Sequence, residues 1–378
     1  MKRLSICATA LIVCLATSLV TQAAESPKNA ALLYWQAVAL VPELTLEEKT
    51  LLNKTPHGEF RTVELNDTSQ ELVKRCGLTL TMMRRGAQIP ECDWGILWED
   101  GAAALMPHMG KVRMLVRLAV LRARHRLQAT QGMKDDDLES VEDLVAAIQL
   151  ARHTGSDDIL ISQMFRNAME EIVFDVLSKH LFKLHPDAQQ LLLTRLDELT
   201  QPHGLSVAVL REKQVFIASL RKQFSGKQAD GEYANLLNMF DEAEKARIKK
   251  QAPDVAAVVK LIDDMEKRYD EAAEIAKLPP DQIKPQWDVL IKRVKAENII
   301  ANLLLPSIGK ARESDAKAEV RRAMLKAAVR AALDQQSQFT KIKDPFGKGA
   351  FERRDQKSGV TLISALTIKG QKFEASFQ

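Results

Sequence analysis

Glycine and proline are scarce, 16 and 13 in 378 residues, and aromatic residues make up only 5% of the chain. β-Rich sandwiches usually carry more glycine, threonine and aromatics, so this scarcity argues against one. Alanine, leucine, lysine, glutamate and glutamine dominate instead, and these are helix formers. A surplus of one charge is also missing. The formal net charge is +4, near balance at this length, and nothing in it points to nucleic acid. Local catalytic signatures are absent as well. There is no HExxH, no GxSxG and no glycine-rich phosphate loop. The seven histidines form no close pair with cysteine or carboxylate at metal-ligand spacing, so neither metal nor cofactor is expected.

The start of the chain carries the clearest pattern. Lys2 and Arg3 precede a mostly apolar run over residues 4–20, and the small residues Thr21, Ala23 and Ala24 follow. That order predicts a secretory signal peptide over residues 1–23, with cleavage after Ala23 or Ala24. Ser5, Thr9, Thr17 and Ser18 interrupt the run, and a membrane-spanning helix needs about 20 mainly apolar residues. Val13 before Cys14 and Ile6 before Cys7 argue against a lipid anchor. No later stretch is apolar enough to span a bilayer, so a periplasmic or secreted protein is expected. Cleavage removes two positive charges from the net +4 and leaves +2. It also removes Cys7 and Cys14, leaving Cys76 and Cys92 in an oxidising compartment. A disulfide between them would close a loop of about 15 residues and stabilise the fold by roughly 3 kcal/mol; two free thiols are the alternative.

The remaining pattern predicts a mostly α chain, an irregular multi-helix array of antiparallel helices with a small C-terminal β-hairpin or meander. Residues 24–225 form an N-terminal helical region and residues 232–340 a C-terminal one. The polar stretch 225–231 lies between them, and residues 341–378 form a β tail packed on the helices. Ser26-Pro27 is a helix start, Thr45 to Glu48 a capping box, and Ser140 with Asp143 a further helix start. No fixed-period repeat stands out. Lys111, Arg113, Arg117, Arg122, Arg124 and Arg126 share one helix without an acid, and six acids follow between Asp135 and Asp143. Antiparallel neighbours that neutralise each other is the simpler reading. Peripheral membrane contact through residues 111–126 is the sharper one.

One segment concentrates unusual residues: Asp93, Trp94, Trp98, Glu99, Asp100 and His108. Two tryptophans beside three carboxylates in a glycine-bearing loop suit a sugar or a cationic ligand. They equally suit a plugged helix–loop junction. His153, in the last turn before Gly155, fits a charge that stabilises a helix end.

Residues 29–37 (NAALLYWQA), 92–95 (CDWG), 105–111 (LMPHMGK) and 150–153 (LARH) together resemble a family of exported, all-helical proteins of planctomycete-type bacteria. The resemblance covers most of residues 28–182 and implies no activity and no catalytic residue. Residues 343–347 (KDPFG) are similar to the tail of pseudopilin-like exported proteins, although the apolar N-terminal helix that defines a pilin is absent. The expected role is non-catalytic binding or scaffolding of an envelope protein or polymer. The alternative is a cell-envelope glycan hydrolase using the loop 92–108.

Overall fold

A computed structural model gives the fold and describes residues 27–53, 60, 63–130, 132–238, 240–305 and 308–378. The expected signal peptide, residues 1–23, lies outside the described residues. Sixteen α-helices and one antiparallel sheet are present among the described residues, as the composition predicts. No described helix is long and apolar enough to cross a membrane.

The N-terminal part runs α1 (Ala30–Ala39), α2 (Leu46–Asn53), α3 (Asp67–Arg75), α4 (Gly77–Ala87), α5 (His108–Ala129), α6 (Lys134–Thr154), α7 (Leu160–His180) and α8 (Pro186–Glu198). Then come α9 (Leu205–Ser225), α10 (Ala229–Asn238), α11 (Glu242–Gln251), α12 (Val255–Ala276), α13 (Pro280–Glu297) and α14 (Ile299–Leu304). The long α15 (Ile308–Ala332) and the short α16 (Gln336–Phe339) lead into β1 (Glu352–Gln356), β2 (Gly359–Ile368) and β3 (Gln371–Phe377). The strands form a meander in the order β1-β2-β3. In the connection before it, the buried Asp344 carboxylate accepts the Ser364 hydroxyl and the Phe346 and Ala365 N–H groups at 2.6–3.1 Å.

Local chemistry explains several boundaries. Thr45 and Glu48 form the expected reciprocal cap, with bonds of 2.8 and 3.2 Å. The first helix starts later than Ser26-Pro27 suggests. Asn29 caps it by accepting the Ala31 N–H at 3.0 Å, and Ser26 lies outside the described residues. Ser140 does not begin a helix: α6 already starts at Lys134, and the Ser140 hydroxyl turns back to the Asp136 carbonyl at 2.7 Å. The acids of residues 135–137 thereby occupy the first turn, where the helix dipole favours them.

Two hydrophobic clusters organise the packing. The first gathers residues of α1–α8 with the C-terminal half of α15 and the sheet; the second gathers α9, α12, α13, α14 and the start of α15. The connection 225–231 joins α9 to α10. Helix α15 belongs to both clusters, through Ile308 and Ala311 at one end and Val320, Met324 and Val329 further along.

The basic helix α5 is neutralised. The buried Asp143 carboxylate receives Arg84 at 2.6 Å, Arg126 at 3.0 Å and Arg122. Arg124 donates to the Val63 carbonyl at 2.7 Å, while Arg117 donates to the Leu52 carbonyl and lies 4.8 Å over Phe60. Of the six cations only Lys111 is exposed. The open basic face that membrane contact through residues 111–126 would need is covered.

Cys76 and Cys92 are free thiols, not a disulfide. Cys76 is buried at the α3–α4 junction, and Cys92 lies five residues beyond the far end of α4. Eleven helical residues rise about 16 Å, whereas a disulfide needs Cα atoms within about 7 Å. Burial pushes the Cys76 thiol up to about 11 and that of Cys92 to about 12.

Glu212 of α9 stands where the clusters meet. It is buried, and its Oε1 accepts the Leu160 N–H at the start of α7, 3.1 Å away. Burial, opposed by that hydrogen bond, pushes it up to about 7 from 4.5. The folded chain therefore keeps a proton that the unfolded chain releases. This group's contribution to stability is full below pH 4.5 and is lost as pH rises through 7. Glu212→Gln keeps the shape and the acceptor. In urea unfolding the variant should be more stable than the wild type by about 3 kcal/mol at pH 8, with the difference gone by about pH 4.5.

Candidate functional site

The four segments that carry the family resemblance converge on one stack of rings. Trp94 lies parallel to His108 with centroids 4.6 Å apart and to Tyr34 at 5.7 Å, and Trp35 meets its edge at 6.0 Å. His153 tilts against Tyr34 at 5.7 Å. The loop is fastened to the start of α1 by a reciprocal pair: the Asn29 amide donates to the Asp93 carbonyl at 2.8 Å and accepts the Asp93 N–H at 2.9 Å. It is fastened to the end of α6 by the Trp94 Nε1–H, which donates to the His153 carbonyl at 2.9 Å. The Tyr34 hydroxyl is 2.8 Å from His153 Nδ1, and the Gln149 amide is 2.7 Å from Nε2.

Burial lowers both His153 and His108 to about 4. His153 is thus a neutral, hydrogen-bonded core residue and not a charge on the end of its helix. His108 is wholly buried, and its ring nitrogens have no hydrogen-bond partner among the described residues.

The six residues singled out in this segment separate into two groups. Trp94 and His108 stack together, with Asp93 beside them; the Asp93 carboxylate is exposed and accepts the Gly95 N–H at 2.9 Å. Trp98, Glu99 and Asp100 lie on a 3-10 turn, Trp98–Ala103, that packs on α9. There Gly101, at φ 58, approaches Ser219 so closely that a side chain would collide with it. Glu99 and Asp100 are exposed on that turn.

One residue before His153, Arg152 faces the other way, onto a groove of about 460 Å³. Its walls are α7 and α15, with Ile148 and Arg152 of α6, Leu196 of α8 and the connection 201–204 closing it. On α7 the lining residues Asn167, Glu170, Glu171 and Phe174 recur at helical spacing, so one face of the helix supplies them. On α15 the same is true of Ala318, Arg322, Leu325 and Lys326.

A buried charge network lies at the base. Glu170 Oε1 accepts Arg152 Nε at 2.9 Å, and Oε2 accepts Arg322 at 3.0 Å. Arg152 also donates to the Thr200 carbonyl at 2.5 Å. Burial alone would raise Glu170, but Arg322, Arg152 and Arg166 outweigh it and hold the carboxyl at about 2. Arg166 in turn lies 3.7 Å from Asp315. Toward the rim, Arg321 pairs with Glu171 at 2.6 Å and Lys326 with Asp197 at 2.8 Å. Burial raises Glu319, against the pull of Arg312.

Nothing local in the sequence marks this site. Arg152 falls inside one of the resemblance segments, but Glu170 sits 152 residues from its partner Arg322. The legible hint is an acid beside Met169 and Ile172 on a face otherwise buried. Compared with protein-family models, curated proteins and solved structures, the chain finds no match.

Removing a buried partner leaves the opposite charges uncompensated, which costs about 3–5 kcal/mol. Glu170→Ala should lose that much in chemical denaturation. A depressed carboxyl stabilises above its unfolded value, 4.5, and loses the contribution as pH falls toward 2. Glu170→Gln should therefore flatten that acid limb of the stability curve.

Proposed function

We propose that this is an exported, non-catalytic binding protein of the cell envelope whose ligand is an extended peptide segment lying along the α7–α15 groove. The observation that carries this reading is the groove itself. Its volume, about 460 Å³, falls within the range of about 300–1,000 Å³ typical of ligand sites. Its wall combines apolar Phe174, Leu196, Leu325 and Ile342 with ionised groups of both signs. Apolar side chains and alternating charge in one bound segment are properties of a peptide. Export rests on Lys2, Arg3, the apolar run and the small residues that follow it.

Glycan hydrolysis finds less support. It needs one carboxyl that can deliver a proton and a second across the scissile bond. Glu170 is held ionised among three guanidinium groups, and none of Asp93, Glu99 and Asp100 lines the groove.

The test uses the full mature chain and fluorescein-labelled nonapeptides with leucine at every third position, the other positions being serine, glutamate or lysine. Fluorescence anisotropy should show saturable binding of at least one of them, with a Kd on the order of 10 µM. Ala323→Trp places an indole in the groove from a half-buried position. It should weaken binding at least tenfold while leaving the melting temperature unchanged. No saturable binding, or binding indifferent to Ala323→Trp, would reject the reading.

A further inference from the structure

We infer that the groove continues past the Arg321–Glu171 pair into a cationic subsite that holds the acidic end of the bound peptide. This rests on the binding reading above and adds the charge and direction of the ligand. A second cavity, about 470 Å³, shares Asn167, Glu171 and Arg321 with the first. The two therefore adjoin at the α7–α15 seam, with the Arg321–Glu171 pair between them.

The second cavity has a different electrostatic character. Besides the shared residues it is lined by Lys310, Lys317 and Lys369 with Glu313 and Ser314. Lys310, Lys317 and Arg321 recur at helical spacing and lie on one face of α15. Lys369 comes from a separate element, the β2–β3 turn. There Lys369 and Gly370 hold φ values of 51 and 81, the left-handed pair of a two-residue hairpin turn that favours asparagine before glycine.

Two of the cations are already compensated: Glu313 pairs with Lys317 at 2.7 Å and Glu171 with Arg321 at 2.6 Å. Lys310 and Lys369 are exposed and have no ion-pair partner among the described residues. Two spare ammonium groups on different elements act as separate point charges, not as one planar fork. They suit successive carboxylates along a chain better than a single bidentate one. In the first cavity, Phe174 and Leu196 offer apolar surface. The peptide thus lies with an apolar side chain near Phe174 and its acidic residues toward Lys310 and Lys369. From Lys310 to Lys326 the helix rises roughly 24 Å, about the span of seven extended residues.

The same labelled nonapeptides decide this, measured against the wild type, the double variant Lys310→Glu/Lys369→Glu and the control Lys292→Glu. Both substituted subsite lysines are exposed, so the fold should survive, which melting curves check. The wild type should bind the glutamate peptide at least tenfold more tightly than the serine peptide, with the advantage shrinking severalfold in 0.5 M salt. The double variant should lose the preference and the control should keep it. Equal affinity for glutamate and serine peptides, or a preference untouched in the double variant, would overturn the subsite while leaving the groove reading in place. Failure of every peptide to bind would instead reject the groove reading itself.

Discussion

The buried carboxylate of Glu170 joins three elements, α6, α7 and α15, through Arg152 and Arg322. Helix α15 is the element common to both hydrophobic clusters, and along the seam with α7 its contacts are charged as well as apolar. A carboxylate taken out of water beside Arg152, Arg166 and Arg322 is tolerable only because those guanidinium groups surround it. The same network bridges the two helices that wall the groove. Lys326 to Asp197 and Arg321 to Glu171 repeat the arrangement nearer solvent, where each pair contributes far less.

Helix α6 divides two tasks between adjacent residues. His153 turns inward to a ring stack that ties the start of α1, the tryptophan loop and the start of α5 together. Arg152 turns outward to Glu170 and the groove. The tryptophan loop thus ties these elements together, and the α7–α15 groove lies beside the neighbouring Arg152. Trp94 spends its indole N–H on a backbone carbonyl, and the His153 ring is bonded at both nitrogens.

Much of the fold was legible because it follows from local rules. The helical composition, the Thr45–Glu48 cap, the sheet of the C-terminal tail and the pairing of Arg122 and Arg126 with the acids of α6 all depend on neighbours in the chain or on simple charge balance. Cys76 and Cys92 misled because their separation in sequence says nothing of the straight helix between them. His153 has the structural role that its place in the last turn suggests, but as a buried neutral ring held by Tyr34 and Gln149 and not as a charge. The groove was not legible at all. Its two walls come from segments about 150 residues apart, and long-range pairing of arginine with glutamate leaves no spacing to read.

The clamp between α15 and α7 depends on energetic coupling between Glu170 and Arg322, and a double-mutant cycle measures it directly. Urea unfolding at pH 7 of the wild type, Glu170→Gln, Arg322→Met and the double variant isolates the pairwise contribution. Contact at 3.0 Å in a largely buried pair predicts a coupling of about 1–3 kcal/mol, with the double variant less destabilised than the sum of the single ones. Additivity within about 0.5 kcal/mol would show that the network does not clamp α15 to α7.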